Sequence, residues 1–137
     1  MSLPIDKVAA GDLAPGQSTP GMTRFEAIVL DDVWSGLVKT EPRATSGWHH
    51  HGEHDTIAYV VRGAFRVETA DGAVVQGNAG DFVHVPARTV HRESNPTGKT
   101  AEVVLVRRGT GEVVVNVDID LDIPERETAA QKAADQT

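Results

Sequence analysis

The chain contains no cysteine, so disulfide scaffolds, thiolate zinc sites and cysteine nucleophiles are all excluded, because each needs sulfur. That lack is compatible with a reducing compartment. No apolar run approaches the ~18 residues needed to cross a bilayer, and no basic segment followed by a hydrophobic stretch opens the chain. A soluble, unexported protein is expected, with the cytoplasm as its compartment and no membrane partner. Basic residues are in deficit, 13 against 20 acidic ones for a formal charge of -7. Broad contact with phosphate backbones relies on clustered Lys and Arg, so nucleic acid is not an expected partner. Aromatic residues make up only 4% of the 137 residues, leaving the aliphatic side chains to build any core. One domain is the natural expectation at this length.

What is present is punctuation. Residues 1–22 carry Pro4, Gly11, Pro15, Gly16, Pro20 and Gly21, a density of turn formers that predicts an arm over the surface. From residue 23 to 118, short Val-rich runs are separated by Gly, Asp, Asn or Pro every ~8 to 12 residues, the spacing of an all-β sandwich or barrel. Strands are predicted at 24–30, 33–40, 46–51, 56–62, 64–69, 73–76, 81–85, 89–94, 101–108 and 112–117. Arg62-Gly63 reads as a hairpin between two such runs, and Asp71-Gly72 as a two-residue turn whose residues tolerate positive φ. Residues 119–137 form an acidic tail, in which Asp122-Ile-Pro-Glu125 has capping-box character ahead of an Ala-rich stretch. That stretch lacks large apolar residues and predicts a short marginal helix or a frayed tail.

Five of the six histidines fall in two places, His49, His50, His51 and His54 in one cluster and His91 some forty residues later. Imidazole is the commonest metal ligand in proteins, and without thiolates a metal site must use nitrogen and oxygen donors. On an extended strand His49 and His51 point the same way, while Trp48 and His50 point the other. Two imidazoles on one face can share one ion. A solvated loop is the plain alternative for such a run; an expression tag would sit at a terminus, and this run is internal.

A second pattern joins the first. Gly80-Asp-Phe-Val-His-Val-Pro86-Ala-Arg-Thr-Val-His91-Arg-Glu-Ser-Asn95 resembles the second signature of the cupin family, with Gly80, Pro86, His91 and Asn95 in register and Arg88 where the family has a second glycine. The segment Gly47 to Gly63 resembles the first signature, in which His-X-His is followed by Glu and then by Gly; His49, His51 and Gly63 match. The resemblance implies a double-stranded β-helix, the jelly-roll cupin barrel, holding one divalent transition metal per chain, Fe(II) first, with Mn, Ni, Cu or Zn as alternatives. It also implies a homodimer, with the N-terminal arm lying across the partner to cover an exposed edge.

The departure lies at Thr56, where the first signature should place its ligand Glu. Two arrangements remain open: a three-His centre of His49, His51 and His91, as in some cupin dioxygenases, or a fourth imidazole from His54, as in some small cupins. Either leaves the ion at its full +2, since neutral imidazoles cancel none of it. Asp55 and Glu53 would restore a carboxylate if residues 51–56 bulge, although Asp55 has the wrong parity on an undistorted strand; both are ranked instead as candidates to accept the remaining N–H of a ligand histidine. Thr56, Arg88 and Trp48 are candidates to line the substrate pocket, with Arg88 and Arg92 as clamps for an anion. Surface charge is the plain alternative for both arginines, and packing for Trp48 and Trp34. Tyr59 should face away from the ligands, His84 should be solvent-facing or structurally bonded, and Asn95 should close a turn. The expected function is a metal-dependent oxygenase acting on a small enolisable carbonyl or phenolic substrate. A redox-inert isomerase, cyclase or lyase and a non-catalytic ligand-binding cupin are the alternatives.

Overall fold

The structure is a computed structural model that describes residues 3–111 and 114–117. Its strands are β1 (Ala14–Pro15), β2 (Met22–Val29), β3 (Val33–Thr40), β4 (His49–His50), β5 (Asp55–Arg62), β6 (Ala64–Thr69), β7 (Val74–Asn78), β8 (Phe82–Val85), β9 (His91–Ser94), β10 (Ala101–Arg108) and β11 (Val115–Asn116). They form two antiparallel sheets, one in the order β1-β2-β3-β10-β5-β8 and the other β11-β4-β9-β6-β7. Among the described residues the only helical piece is a 3-10 turn at Ala10–Asp12, and no helix is long and apolar enough to cross a membrane. The jelly-roll barrel expected from the two signatures is therefore the fold observed.

Alternation along the strands builds the barrel, because successive side chains point to opposite faces of a sheet. On β10, Ala101, Val103, Leu105 and Arg107 are buried while Val104, Val106 and Arg108 are exposed. On β5, Thr56, Ala58 and Val60 face inward, each opposite its β10 counterpart: Thr56 by Arg107, Ala58 by Leu105, Val60 by Val103. Phe65 and Val67 close the same core from the second sheet. The interior is thus graded, apolar through most of its depth and polar at the level of Thr56 and Arg107. Outside, Ile57, Tyr59, Val61 and Phe82 leave an exposed apolar face on the larger sheet.

Several expectations are corrected by the connections. Gly63 does not turn a hairpin: β5 pairs with β8 and β10, whereas β6 pairs with β7 and β9. The chain switches sheets there, with Gly63 at φ 79° and room for a Cβ only 3.0 Å from the Ala101 Cα. Asp71-Gly72 does join β6 to β7, yet the loop is longer than two residues, since Gly72 N–H donates to Thr69 O at 3.0 Å and Thr69 N–H to Ala73 O at 2.9 Å. The predicted strand 46–51 shrinks to His49–His50. Arg88, standing where the family has glycine, keeps the left-handed backbone that position demands, φ 62°, and donates its N–H to Gly52 O at 2.9 Å.

The N-terminal arm is used within its own chain. β1 pairs with β2, and the buried Arg24 donates to Gln17 O and Thr19 Oγ1, both at 3.3 Å. The acidic tail and its predicted helix lie outside the described residues, as do Glu112 and Val113 of the last predicted strand.

Asn95 ties the turn after β9 to its neighbours, as its place in the signature suggested. It is 1% exposed, its Nδ2 donates to the carbonyls of Thr40, Glu41 and Lys99 at 3.1, 3.3 and 2.7 Å, and its Oδ1 accepts from Thr97 N at 3.0 Å. Asn95→Ala strands several buried carbonyls at once and is expected to cost about 2–4 kcal/mol. Urea unfolding of the variant checks this; a loss under about 0.5 kcal/mol would contradict the assignment.

Candidate metal centre

The two histidine segments meet in the second sheet. His49 on β4 lies directly opposite His91 on β9, so the pairing register brings together residues that are distant in sequence. The ring centroids of His49, His51 and His91 stand 4.5 to 5.0 Å apart, and all three rings are buried, His91 completely. A fourth group joins them: Glu93 on β9, 6% exposed, with Oε2 at 3.1, 3.4 and 3.6 Å from Nε2 of His91, His49 and His51. One ligand atom from each of the four residues lies within 4.8 Å of all the others.

Proton placement decides what this cluster can do. Nδ1 of His49 is 2.9 Å from Gly47 O and Nδ1 of His91 is 2.8 Å from Thr89 O. A nitrogen lone pair would repel a carbonyl oxygen at that range, so in each ring Nδ1 carries the proton and donates it. Their Nε2 atoms then present lone pairs toward the Glu93 carboxylate, and His49 Nε2 has no hydrogen-bond partner. Protonating Nε2 as well would make each ring a buried imidazolium. A single divalent cation instead satisfies converging lone pairs and carboxylate together, and the carbonyl bonds fix tautomer and ring plane in the way metal-bound histidines require. Burial acts to raise the Glu93 pKa, and Nε2–H donation from the His49, His51 and His91 rings, where those nitrogens are protonated, holds it well below the ordinary carboxylate value; a cation among the rings would play the same part. It is ionised. The donor set of three imidazoles and one carboxylate fits Fe, Mn, Ni, Cu or Zn.

The expectation of an ion without a carboxylate neighbour is thereby corrected. The carboxylate missing at Thr56 of β5 is supplied from β9, two residues beyond His91. Strand parity was the available signal: the alternation that aligns His49 with His51 also aligns His91 with Glu93. Backbone bonds hold the residue in place, with Glu93 N–H donating to Ser46 Oγ at 2.9 Å and Ser46 N–H to Glu93 O at 2.8 Å.

The other candidates fall in distinct places. His54 is buried, 5% exposed, with Nδ1 2.9 Å from His51 O; it buttresses the ligand loop and stands outside the group of four. Thr56 faces the interior with its hydroxyl buried and unbonded. Arg88 lies at the surface, paired with Glu53, and Trp48 stacks beneath the Arg92 guanidinium, 4.8 Å from ring centroid to Cζ. Arg92 also donates to Glu68 at 2.6 Å. Asp55 turns outward to His84 at 3.0 Å; the bonds from His84 and the Ala87 N–H lower its pKa. His84 is thus an exposed, structurally bonded residue. Two interior cations were not anticipated from sequence, Arg24 and Arg107, 7% and 2% exposed; the inward place of Arg107 follows from the alternation of Val103 and Leu105.

Comparison with known proteins agrees with this architecture. Residues 36–107 match the family model described as "Cupin domain". Quercetin 2,3-dioxygenase of Bacillus subtilis (strain 168) is 46% identical over 43 residues, which are 31% of this chain and 12% of that protein. This chain therefore matches only a small part of that relative's length. Among solved structures, KdgF from Halomonas sp. superposes with a TM-score of 0.65 at 25% identity over 78% of this chain and 96% of that one. The polyketide cyclase RemF from Streptomyces resistomycificus gives a TM-score of 0.71 at 19% identity over 86% of this chain and 89% of its own. With two matched signatures, a jelly-roll barrel and a buried His-rich cluster on its inner wall, the chain belongs to the cupin family.

Proposed function

We propose that the chain is a metal-dependent oxygenase acting on a small enolisable carbonyl or phenolic compound, with Fe(II) as the preferred ion held by His49, His51, His91 and Glu93. The observation that carries this reading is the convergence of imidazole lone pairs and an ionised carboxylate inside the barrel. When bound, a redox-active ion supplies Lewis acidity toward a substrate oxygen and a route for electrons to dioxygen. The local likeness to a quercetin 2,3-dioxygenase supports oxygenase over redox-inert chemistry.

The protein's own residues set the conditions. Glu93 cancels one unit of the ion's charge, so the centre keeps affinity for one anionic oxygen, as an enolate or phenolate provides. The Nδ1 bonds of His49 and His91 to carbonyl oxygens hold the rings at fixed angles and need no reorganisation when charge develops. Val85, Ala58 and Leu105 are buried in the apolar core of the same barrel, and such low-dielectric surroundings strengthen electrostatic contacts.

Metal analysis of protein purified without a polyhistidine tag should find about one Fe per chain, with a melting temperature that falls on chelation. Zinc at the same stoichiometry would favour an isomerase or cyclase. Glu93→Gln should weaken metal affinity by at least about tenfold, and His91→Ala should abolish stoichiometric binding. A His91→Ala protein that retained its full metal content would exclude this centre.

Oxygen-electrode assays of the iron-loaded protein with a panel of β-diketones and catechols should show uptake with at least one compound. Complete silence across the panel, with iron bound, would sink the oxygenase reading.

A further inference from the structure

Among the described residues Arg107 is a buried cation with no anion at ion-pair distance. It is 2% exposed, its Nε has no hydrogen-bond partner, and among the described residues it enters no ion pair. Arginine is almost never fully buried unless paired, because losing water costs several kcal/mol that a partner must return. Burial lowers its pKa to about 10, with Glu93 opposing the shift and Arg24 adding to it. The guanidinium remains charged at neutral pH. The Glu93 charge acts on the guanidinium, but no Glu93 oxygen lies within ion-pair distance of it, and Glu93 Oε2 faces three imidazoles.

The surroundings of Arg107 are built for a ligand. Its Cζ sits 5.2 Å from the Trp34 ring centroid, and Trp34 is itself anchored by Nε1 donating to Glu26 at 3.0 Å. The fork is therefore pre-oriented by stacking. Directly opposite on β5 is Thr56, whose Oγ1 is likewise buried and unbonded. Two adjacent polar groups with no partner, one cationic and one a neutral donor, match the two oxygens of a monoanion. Arg24, the next buried cation, donates to Gln17 O and Thr19 Oγ1 through Nη1, so its guanidinium is held by the arm rather than by Thr56.

We infer that Arg107 and Thr56 form a carboxylate subsite on the wall of the same barrel as the metal ligands, so that the substrate is a small carboxylic acid whose enol or phenol oxygen reaches the His49-His51-His91-Glu93 group. This rests on the metal-dependent reading above and narrows its substrate class. Arg107 positions the acid; the oxygen that reacts lies at the other end of the molecule.

Calorimetric titration of the metal-loaded protein with catechol and with 3,4-dihydroxybenzoate tests it, because the probes share the chelating pair and differ by one carboxylate. The acid should bind about ten- to a hundredfold more tightly. Arg107→Gln should shrink that preference to within about threefold with metal still bound, and Thr56→Val should cut it by about three- to tenfold. Because Arg107→Gln removes an unpaired buried charge, its melting temperature should not fall; should it fail to fold, Thr56→Val carries the test. Equal affinities for the two probes, binding of neither, or a preference surviving in both variants would overturn the subsite. Failure of the wild-type protein to hold metal, or retention of metal by His91→Ala, would instead overturn the centre on which it rests.

Discussion

The fold is organised around an electrostatic conflict in its interior: an ionised carboxylate, Glu93, enclosed by imidazole nitrogens whose protons are committed elsewhere. Taking such a group out of water costs several kcal/mol even after relaxation. The cost is met only if positive charge sits among the rings, and one cation placed there bonds every member of the cluster. Removing any member leaves the others less well compensated, so the four behave as a unit. The carbonyl bonds from Gly47 and Thr89 matter for the same reason. They determine which nitrogen of each ring faces inward, and a ring with the opposite tautomer would present a proton where a lone pair is needed.

Closure of the sheets makes that conflict sustainable. Each strand that contributes to the site is held by antiparallel partners on the barrel wall, and the inward positions pass from aliphatic to polar in register on neighbouring strands. Val60 and Val103, then Ala58 and Leu105, then Thr56 and Arg107 form successive levels. The aliphatic levels supply a dry floor by hydrophobic burial, at roughly 25 cal/mol per Å² of apolar surface. The polar level inherits low dielectric from that floor, where an arginine and a hydroxyl interact far more strongly with a ligand than at a surface. Exposed pairs such as Arg88 with Glu53 gain little of this, being screened by water.

Much of this was legible from the residues. Strands 33–40, 64–69 and 101–108 match the observed boundaries, because each is a β-rich run set between turn-forming residues. The His49, His51 and His91 trio followed from strand parity and two signature matches. What escaped were features set by pairing between distant strands. Gly63 between two β-rich runs has the local appearance of a hairpin, and only the global topology reveals a change of sheet. Arg107 reads locally as one of two arginines ending a strand; its burial depends on Thr56 and Trp34 arriving beside it. Glu93 is different, since the alternation rule already in use would have placed it with His91. Attention to the signature's customary Glu position, here Thr56, drew the search to β5 and away from β9.

That relocation of the carboxylate has a chemical consequence. With Glu on β5, the wall beside Arg107 would have carried an internal anion able to neutralise the guanidinium, and the arginine would have been a structural ion pair. With Glu93 on β9 and Thr56 in its place, β5 offers a hydroxyl and β10 a guanidinium without an ion-pair partner, directly opposite one another. A divalent ion and one carboxylate leave one positive charge at the metal group, and the Arg107 guanidinium places another beside Thr56. A molecule with a carboxylate at one end and an enolate or phenolate at the other sets one negative charge against each. The substitution that looked like damage to a metal site is thus what converts one wall of the barrel into a receptor for an acid.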